Sequence, residues 1–244
     1  MSKKLEAIID GITKEYNEFA YVTSHDLGAA LRAVVGFSDL ILQRAQTADN
    51  LDDKTLQQLD LIKESGLKAQ DTVSALLRLS RLNTRKWDIT SVSLEKAMTY
   101  AMEEKAIEMQ ESEAVISVAD LPKIVGDSVM IKRVFTEILD NAIKFSSEGV
   151  TPKIDVTASE DDDYFIVNIK DNGIGLNKRD YERVLLPLKK AGFLEKEYEG
   201  SGMELAIVTS IMRRMSGDIK IVSNEGEEGI TVSLYFFKEC NQNA

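Results

Sequence analysis

Apolar side chains recur at spacings of three and four along residues 1–86, and no proline interrupts them. Leu5, Ile9, Ile12, Tyr16 and Phe19 lead into Leu27, Leu31 and Val34, a pattern that predicts one long helix. The polar run TADNLDD at 47–53 reads as a connector, after which Leu59, Ile62, Ala69, Val73 and Leu76 carry the same spacing into a second helix. Two helices with such stripes cannot hide both from water. The pattern therefore predicts a helical hairpin that pairs with a second copy into a homodimeric four-helix bundle.

The texture changes at NTRKWDIT, residues 83–90, so the chain divides into a hairpin at 1–86, a linker at 87–92 and a second domain at 93–240. In that domain a helix is expected from about Leu94 to Glu111, then the strand AVISVAD and the amphipathic helix IKRVFTEILDNAIKF. KIDVTAS and DYFIVNIKD read as strands joined by the acidic turn EDDD. GDIKIVSN and GITVSLYFF form a closing hairpin around EGEEG. The fold class is α followed by α+β, with a largely antiparallel sheet.

Composition narrows the function. Lys+Arg 30 against Asp+Glu 41 gives a net charge of −11, and no basic run with interleaved aromatics exists, which argues against a nucleic-acid surface. Cys240 is the single cysteine, so neither an intrachain disulfide nor a thiolate metal cage can form, and a reducing compartment fits. The opening residues MSKKLEAIID are charged and no 18-residue apolar run occurs, so neither leader nor membrane segment is expected, and the location expected is cytoplasmic.

Four stretches carry candidate chemistry. SHDLGAALR, residues 24–32, holds the only histidine, His25, which is either a reactive imidazole or a polar residue at a helix edge. In TEILDNAIKF, Glu137 and Asn141 are four apart and share a helix face, with Lys144 one turn on. Alone this segment reads rather as a solvated face. DNGIGL at 171–176 follows a strand: Asp171 can accept a hydrogen bond from an exocyclic amine, and Gly173 and Gly175 allow close approach to a flat ring. EGSGMELAIV at 199–208 places glycines at a helix start, where backbone N–H groups bind phosphate.

In this order, SHDL…LR, EILDNAIKF, DNGIG and EGSGMELAIV resemble the sensor histidine kinases of two-component signalling, most closely the phytochrome-like branch. LLRLSRLNT and LPKIVGDSVMIKRVF are similar to that family too, and the likeness runs from about residue 10 to 237. It implies a dimerisation and phosphoacceptor hairpin followed by an α/β sandwich of the Bergerat (GHKL) ATP-binding type. It also implies roles for single residues. His25 matches the phosphoacceptor, and Asp26 the acidic neighbour that orients or deprotonates it. Asn141 matches the Mg²⁺ ligand, Lys144 a phosphate-contacting base and Asp171 the adenine reader. Gly173 and Gly175 match the adenine loop, Gly200 and Gly202 the phosphate-facing end of the lid. ATP and Mg²⁺ are the implied cofactors. A response-regulator receiver domain is the implied partner, with a sensor domain separate or missing from this chain.

Several positions depart from the family pattern. Ala30 stands where a proline is usual, so the bundle helix should be straighter. Ala29 stands where members with phosphatase activity carry Thr or Asn, so little phosphatase activity is expected. Glu137 replaces an Asn and is similar to the water-activating Glu of gyrase-type ATPases; it either activates water or stands beside the Mg²⁺ without binding it. Glu204 replaces the third glycine, and Ser201 and Glu204 together read as an S-x-x-E capping box. At roughly 6 Å and an effective dielectric of about 20, that carboxylate would oppose a phosphate by about 2 to 3 kcal/mol, on the order of a hundredfold. Lys189 and Lys190 could offset it.

The leading expectation is a kinase core that autophosphorylates His25 from Mg-ATP and passes the group to an aspartate of a response regulator. The alternative is a nucleotide-weak adaptor or phosphotransfer protein of the same fold, its ATP site impaired by Glu204. A water-attacking ATPase is the third.

Overall fold

The computed structural model describes residues 27–45, 52–147, 149–191, 202–224 and 228–238, without the side chains of 75, 76, 83 and 84. The chain forms two compact units, Met1–Lys86 and Trp87–Ala244.

In the first unit, residues 27–45 are helical (α1) and Asp53–Thr84 forms α2, started by Asp52, whose carboxylate accepts the Thr55 N–H at 2.6 Å. The expected residues from Leu5 to Phe19 and most of the 47–53 connector lie outside the described residues. Gly66 lets the two helices approach: a Cβ there would stand 2.6 Å from Val35 Cγ2. Few apolar side chains are hidden. Val73 and Leu82 are buried, while Leu27, Val34, Phe37, Leu40, Ile41, Leu61, Ile62 and Leu67 are exposed, Phe37 to 67%. Among the described residues no helix is long and apolar enough to cross a membrane.

The second unit begins with a correction. Residues 87–92 were expected to be a linker, yet Ile89–Ser93 is a strand (β1), paired antiparallel to Lys123–Asp127 (β3) from Ile89 opposite Asp127 to Ser93 opposite Lys123. Its partner lies more than thirty residues away, so no local pattern announces it. The helix expected over 94–111 is also two: Leu94–Glu104 (α3), started by the Ser93 hydroxyl on the Lys96 N–H, and Ala106–Glu111 (α4). They part at Lys105, whose ammonium reaches Asp140 and Glu108.

Ser128–Lys144 (α5) places Ile131, Val134, Phe135, Ile138 and Leu139 in the core at 2% exposure or less. Its start is Asp127, itself 1% exposed, whose Oδ1 accepts the Val129 and Met130 N–H groups while Oδ2 accepts that of Asp88. Val115–Val118 (β2), Lys153–Glu160 (β4), Tyr164–Asp171 (β5), Asp218–Ser223 (β6) and Ile230–Phe237 (β7) make one sheet, ordered β2-β4-β5-β7-β6. Only the β2–β4 pairing is parallel.

Strand alternation sorts the two faces. Ile154, Val156, Val167, Ile169, Val232, Leu234, Ile219 and Ile221 are buried. The other face is polar and aromatic, with Ser233 donating to Asn168 at 2.6 Å and Tyr164 edge-on to Tyr235. Helix α3 packs on α5, and α5 on Glu204–Arg214 (α6), which in turn packs on β6 and β7.

Asp127 holds both a helix start and the entry strand, so Asp127→Ala should lower the unfolding free energy of the second unit by about 2 kcal/mol. Urea unfolding followed by the fluorescence of Trp87, the only tryptophan, which lies under the Arg214 guanidinium at 4.5 Å, checks this; an unchanged midpoint would refute it.

Candidate functional site

Helices α5 and α6 and the segment after β5 enclose one apolar cavity with a polar rim. Ile138, Ala142, Ile174, Leu176, Val184 and Val232 supply apolar lining; Asn141, Lys144, Asp171, Lys189, Lys190 and Glu204 supply polar atoms. Stretches separated by more than twenty-five residues in sequence thus converge here: the α5 face, the DNG turn and the start of α6.

At the β5 end, Asp171 Oδ1 accepts the Gly173 N–H at 2.9 Å and the Ile230 N–H at 3.1 Å. Neither bond falls on Oδ2. Burial pushes this carboxyl above its ordinary value, and the two backbone N–H groups pull it back only in part. The loop folds tightly against α5: Ile174 N–H donates to the Phe145 carbonyl at 3.0 Å, and a Cβ on Gly173 would come within 2.5 Å of that oxygen. Any larger residue at 173 would force the loop off the helix. Gly175 lines the cavity directly.

On α5, Lys144 reaches over the Phe145 ring at 5.4 Å, and Asn141 Nδ2 is buried with no hydrogen-bond partner among the described residues. A buried amide left unpaired is costly, and a ligand group would relieve it. Glu137 lies one turn back from Asn141, half-buried, with Oε1 accepting from Arg133 Nε at 3.3 Å. Burial raises its pKa. The Arg133 charge opposes that rise, while the charges of Glu204 and Asp140 add to it.

At the opposite wall, helix α6 starts at Glu204, and Met203 stands before it with no side-chain cap; Ser201, the other half of the expected capping box, lies outside the described residues. Glu204 Oε2 instead accepts the Met203 N–H at 2.9 Å. Gly202, with a φ of +67°, turns the chain just before Met203, which is fully buried and anchors the helix.

The structure thus brings Asn141, Lys144, Asp171, Gly175, Gly202, Lys189, Lys190 and Glu204 to one cavity, with Gly173 and Glu137 beside it. His25, Asp26, Gly200 and Ser201 lie outside the described residues, as does most of the expected lid. Among the described residues no three His, Cys, Asp or Glu side chains cluster as a metal site, so a cation here would draw on the Asn141 amide and ligand oxygens.

Two residues escaped the sequence reading. Asn224 donates from Nδ2 to the Asp171 carbonyl at 2.8 Å and accepts from Thr231 at 2.7 Å. Gly229, read only as part of a hairpin turn, has φ +90°, and a Cβ there would overlap the Asp171 carbonyl oxygen. A glycine closing EGEEG was the visible signal; its contact with β5 was not.

Residues 126–239 match the family described as histidine kinase-, DNA gyrase B-, and HSP90-like ATPase. The chain is 28% identical over 213 residues to phytochrome-like protein Cph1 of Synechocystis sp., covering 87% of this chain and 28% of that protein. Cyanobacterial phytochrome A of Nostoc sp. is 30% identical over 213 residues, with coverage of 87% and 27%. Histidine protein kinase DivJ of Caulobacter vibrioides is 27% identical over 216 residues, with coverage of 86% and 35%. The chain thus spans about a quarter to a third of the length of these relatives. Among solved structures, full-length ShkA in complex with AMPPNP has a TM-score of 0.61 at 22% identity, covering 90% of this chain and 46% of that one. Acinetobacter baumannii histidine kinase AdeS has a TM-score of 0.57 at 17% identity, with coverage of 85% and 96%. The fold is therefore the one expected, a helical hairpin followed by the α/β sandwich of the GHKL type.

The raised pKa of Glu137 has a consequence for stability. The folded chain holds that proton more tightly than the unfolded chain, so ionising Glu137 costs stability as pH rises above its ordinary value of 4.5. Glu137→Gln should raise Tm at pH 7, with the gain fading as pH falls towards 4.5. Thermal unfolding by circular dichroism across that range checks it, and a loss of Tm at pH 7 would refute it.

Proposed function

Residues 126–239 form a domain of the histidine kinase-, DNA gyrase B-, and HSP90-like ATPase family, in a chain with the make-up of a sensor histidine kinase core, and on that premise we propose that it transfers the γ-phosphoryl group of ATP to His25. The observation that carries this reading is the convergence of three separate motifs on one cavity between α5 and α6.

The residues there suit a nucleotide. Asp171 accepts two backbone N–H groups on Oδ1, and its other oxygen is suited to the exocyclic amine of adenine. The tight loop at Gly173 and the apolar lining of Ile138, Ile174 and Val232 suit a flat ring. Asn141 would hold Mg²⁺ through its side-chain carbonyl, and Lys144, Lys189 and Lys190 would neutralise phosphate oxygens. Bound Mg²⁺ supplies counter-charge as the γ-phosphoryl group leaves.

The imidazole nitrogen of His25 forms a bond to the γ-phosphorus while the bond to the β–γ bridging oxygen breaks, releasing ADP. Asp26 takes the imidazole proton. The phosphoryl group then passes to an aspartate of a response-regulator receiver domain, in a cytoplasmic setting. With Ala29 on the turn after His25, no side chain there positions water, so the chain has little phosphatase activity.

The hairpin supports a homodimer. Exposed Val34, Phe37, Leu40 and Ile41 on α1 and Leu61 and Ile62 on α2 leave apolar surface that a second copy would cover.

One observation favours a second reading. The Glu204 carboxylate already occupies an N–H at the start of α6, as it would in a nucleotide-weak adaptor that only relays phosphoryl groups.

Incubation with γ-labelled ATP and Mg²⁺ should leave acid-labile, base-stable label on the wild type and none on His25→Ala. Absent label with intact folding would favour the adaptor. Light scattering should give twice the chain mass of 27.2 kDa, and a monomer mass at all concentrations would exclude the dimer.

A further inference from the structure

The start of α6 is where a nucleotide's phosphates would meet backbone N–H groups and the positive end of the helix dipole. In this chain a carboxylate is already there. Glu204 is the first residue of the helix, lines the cavity beside Asn141, Lys189 and Lys190, and accepts the Met203 N–H at 2.9 Å. It cannot simply be carried away by the loop, because Met203 is fully buried and Gly202 lies against the Lys189 carbonyl, where even a Cβ would come within 3.1 Å.

A second carboxylate faces the same region from α5. Glu137 is held by Arg133 and lies within electrostatic reach of both Glu204 and Asp140. Asp140 is itself bound by Lys105. Lys144, Lys189 and Lys190 supply positive charge on the cavity rim. A polyphosphate entering without a cation would thus bring up to four negative charges against Glu204 and Glu137 together. A divalent cation bound to those phosphates reverses the sign of the encounter, because carboxylate and phosphate oxygens are both preferred ligands of Mg²⁺. Asn141, one turn beyond Glu137, lines the same cavity: its buried, unpartnered Nδ2 can donate to a phosphate oxygen, and its side-chain carbonyl is of the type that ligates the cation.

We propose that Glu204 is a specificity-determining residue that makes the site select the cation-complexed nucleotide and reject the metal-free polyphosphate. This inference rests on the nucleotide reading of the cavity. Where a glycine at this position would leave the helix start open to either form, the Glu204 carboxylate competes with bare phosphate for the Met203 N–H and turns into a favourable neighbour only when the cation is present.

The test is equilibrium binding of ATP, ADP and adenosine by calorimetry, in EDTA and in excess Mg²⁺, to the full chain as wild type, Glu204→Gln and Glu204→Gly. Circular dichroism first establishes that each variant is folded. For the wild type, Mg²⁺ should strengthen ATP binding on the order of a hundredfold, the size expected for one like-charge contact at about 6 Å. For both variants the gain should shrink to about tenfold or less, mainly because binding in EDTA improves. Adenosine, which has no phosphate, should bind all three chains alike and ignore Mg²⁺. If adenosine and ATP bind but the Mg²⁺ gain is the same in all three chains, Glu204 is no selector and the inference falls alone. If neither adenosine nor ATP binds any of the three, the nucleotide reading falls and takes the inference with it.

Discussion

A strand that ends in the middle of a sheet leaves polar backbone atoms pointing at whatever lies beyond it, and in this protein Asp171 meets two of the N–H groups found there. Its side chain gathers the N–H groups of Gly173 and Ile230, while its carbonyl receives Asn224. Four segments are thereby tied at one point: the end of β5, the loop that follows it, the end of β6 and the start of β7. The loop is then pressed onto the last turn of α5 by the bond from Ile174 to Phe145. Without that knot neither the floor of the cavity nor the position of α5 over it would be defined. A carboxylate can do this because it accepts several hydrogen bonds at once in a place where water is scarce.

The cavity built on that knot is electrostatically unusual. Its apolar lining is suited to a ring, yet its rim carries Glu204 together with Lys144, Lys189 and Lys190, with the Glu137–Arg133 pair beside it. A helix start normally attracts an anion from solution, and here the chain brings its own in Glu204. The Glu204 carboxylate takes up the Met203 N–H while the fold that presents the helix end stays the GHKL sandwich.

The first unit is incomplete in a different sense. Its two helices meet closely at Gly66 and Val35, but the packing reaches only part of each apolar stripe. Exposed Phe37, Leu40 and Leu61 belong to apolar stripes at spacings of three and four that the two helices do not cover by themselves. The sandwich, by contrast, closes its own core on one side of the sheet: Phe135, Ile131 and Leu139 of α5 and Val167, Ile169 and Leu234 of the strands are all buried.

The sequence by itself determined the elements whose cause is local. Helix α5 was legible because its apolar period runs unbroken for seventeen residues, and β4 to β7 because alternation and acidic or glycine turns bound them. Asn141, Lys144, Asp171 and the glycines were legible as types of chemistry, through their order along the chain. What the sequence could not decide was pairing at a distance. Ile89–Ser93 became a strand only because Lys123–Asp127 lies beside it, and the break at Lys105 reflects a partner on another helix, Asp140. The start of α6 at Glu204 follows a buried Met203 and a left-handed Gly202, a burial that no local pattern announced. Asn224 and Gly229 joined the site because the tertiary fold brought the end of β6 and the start of β7 against β5. Periodicity and turn chemistry act over a few residues and can be read from the chain alone, whereas steric contact and hydrogen bonding between distant segments exist only once the sheet has assembled.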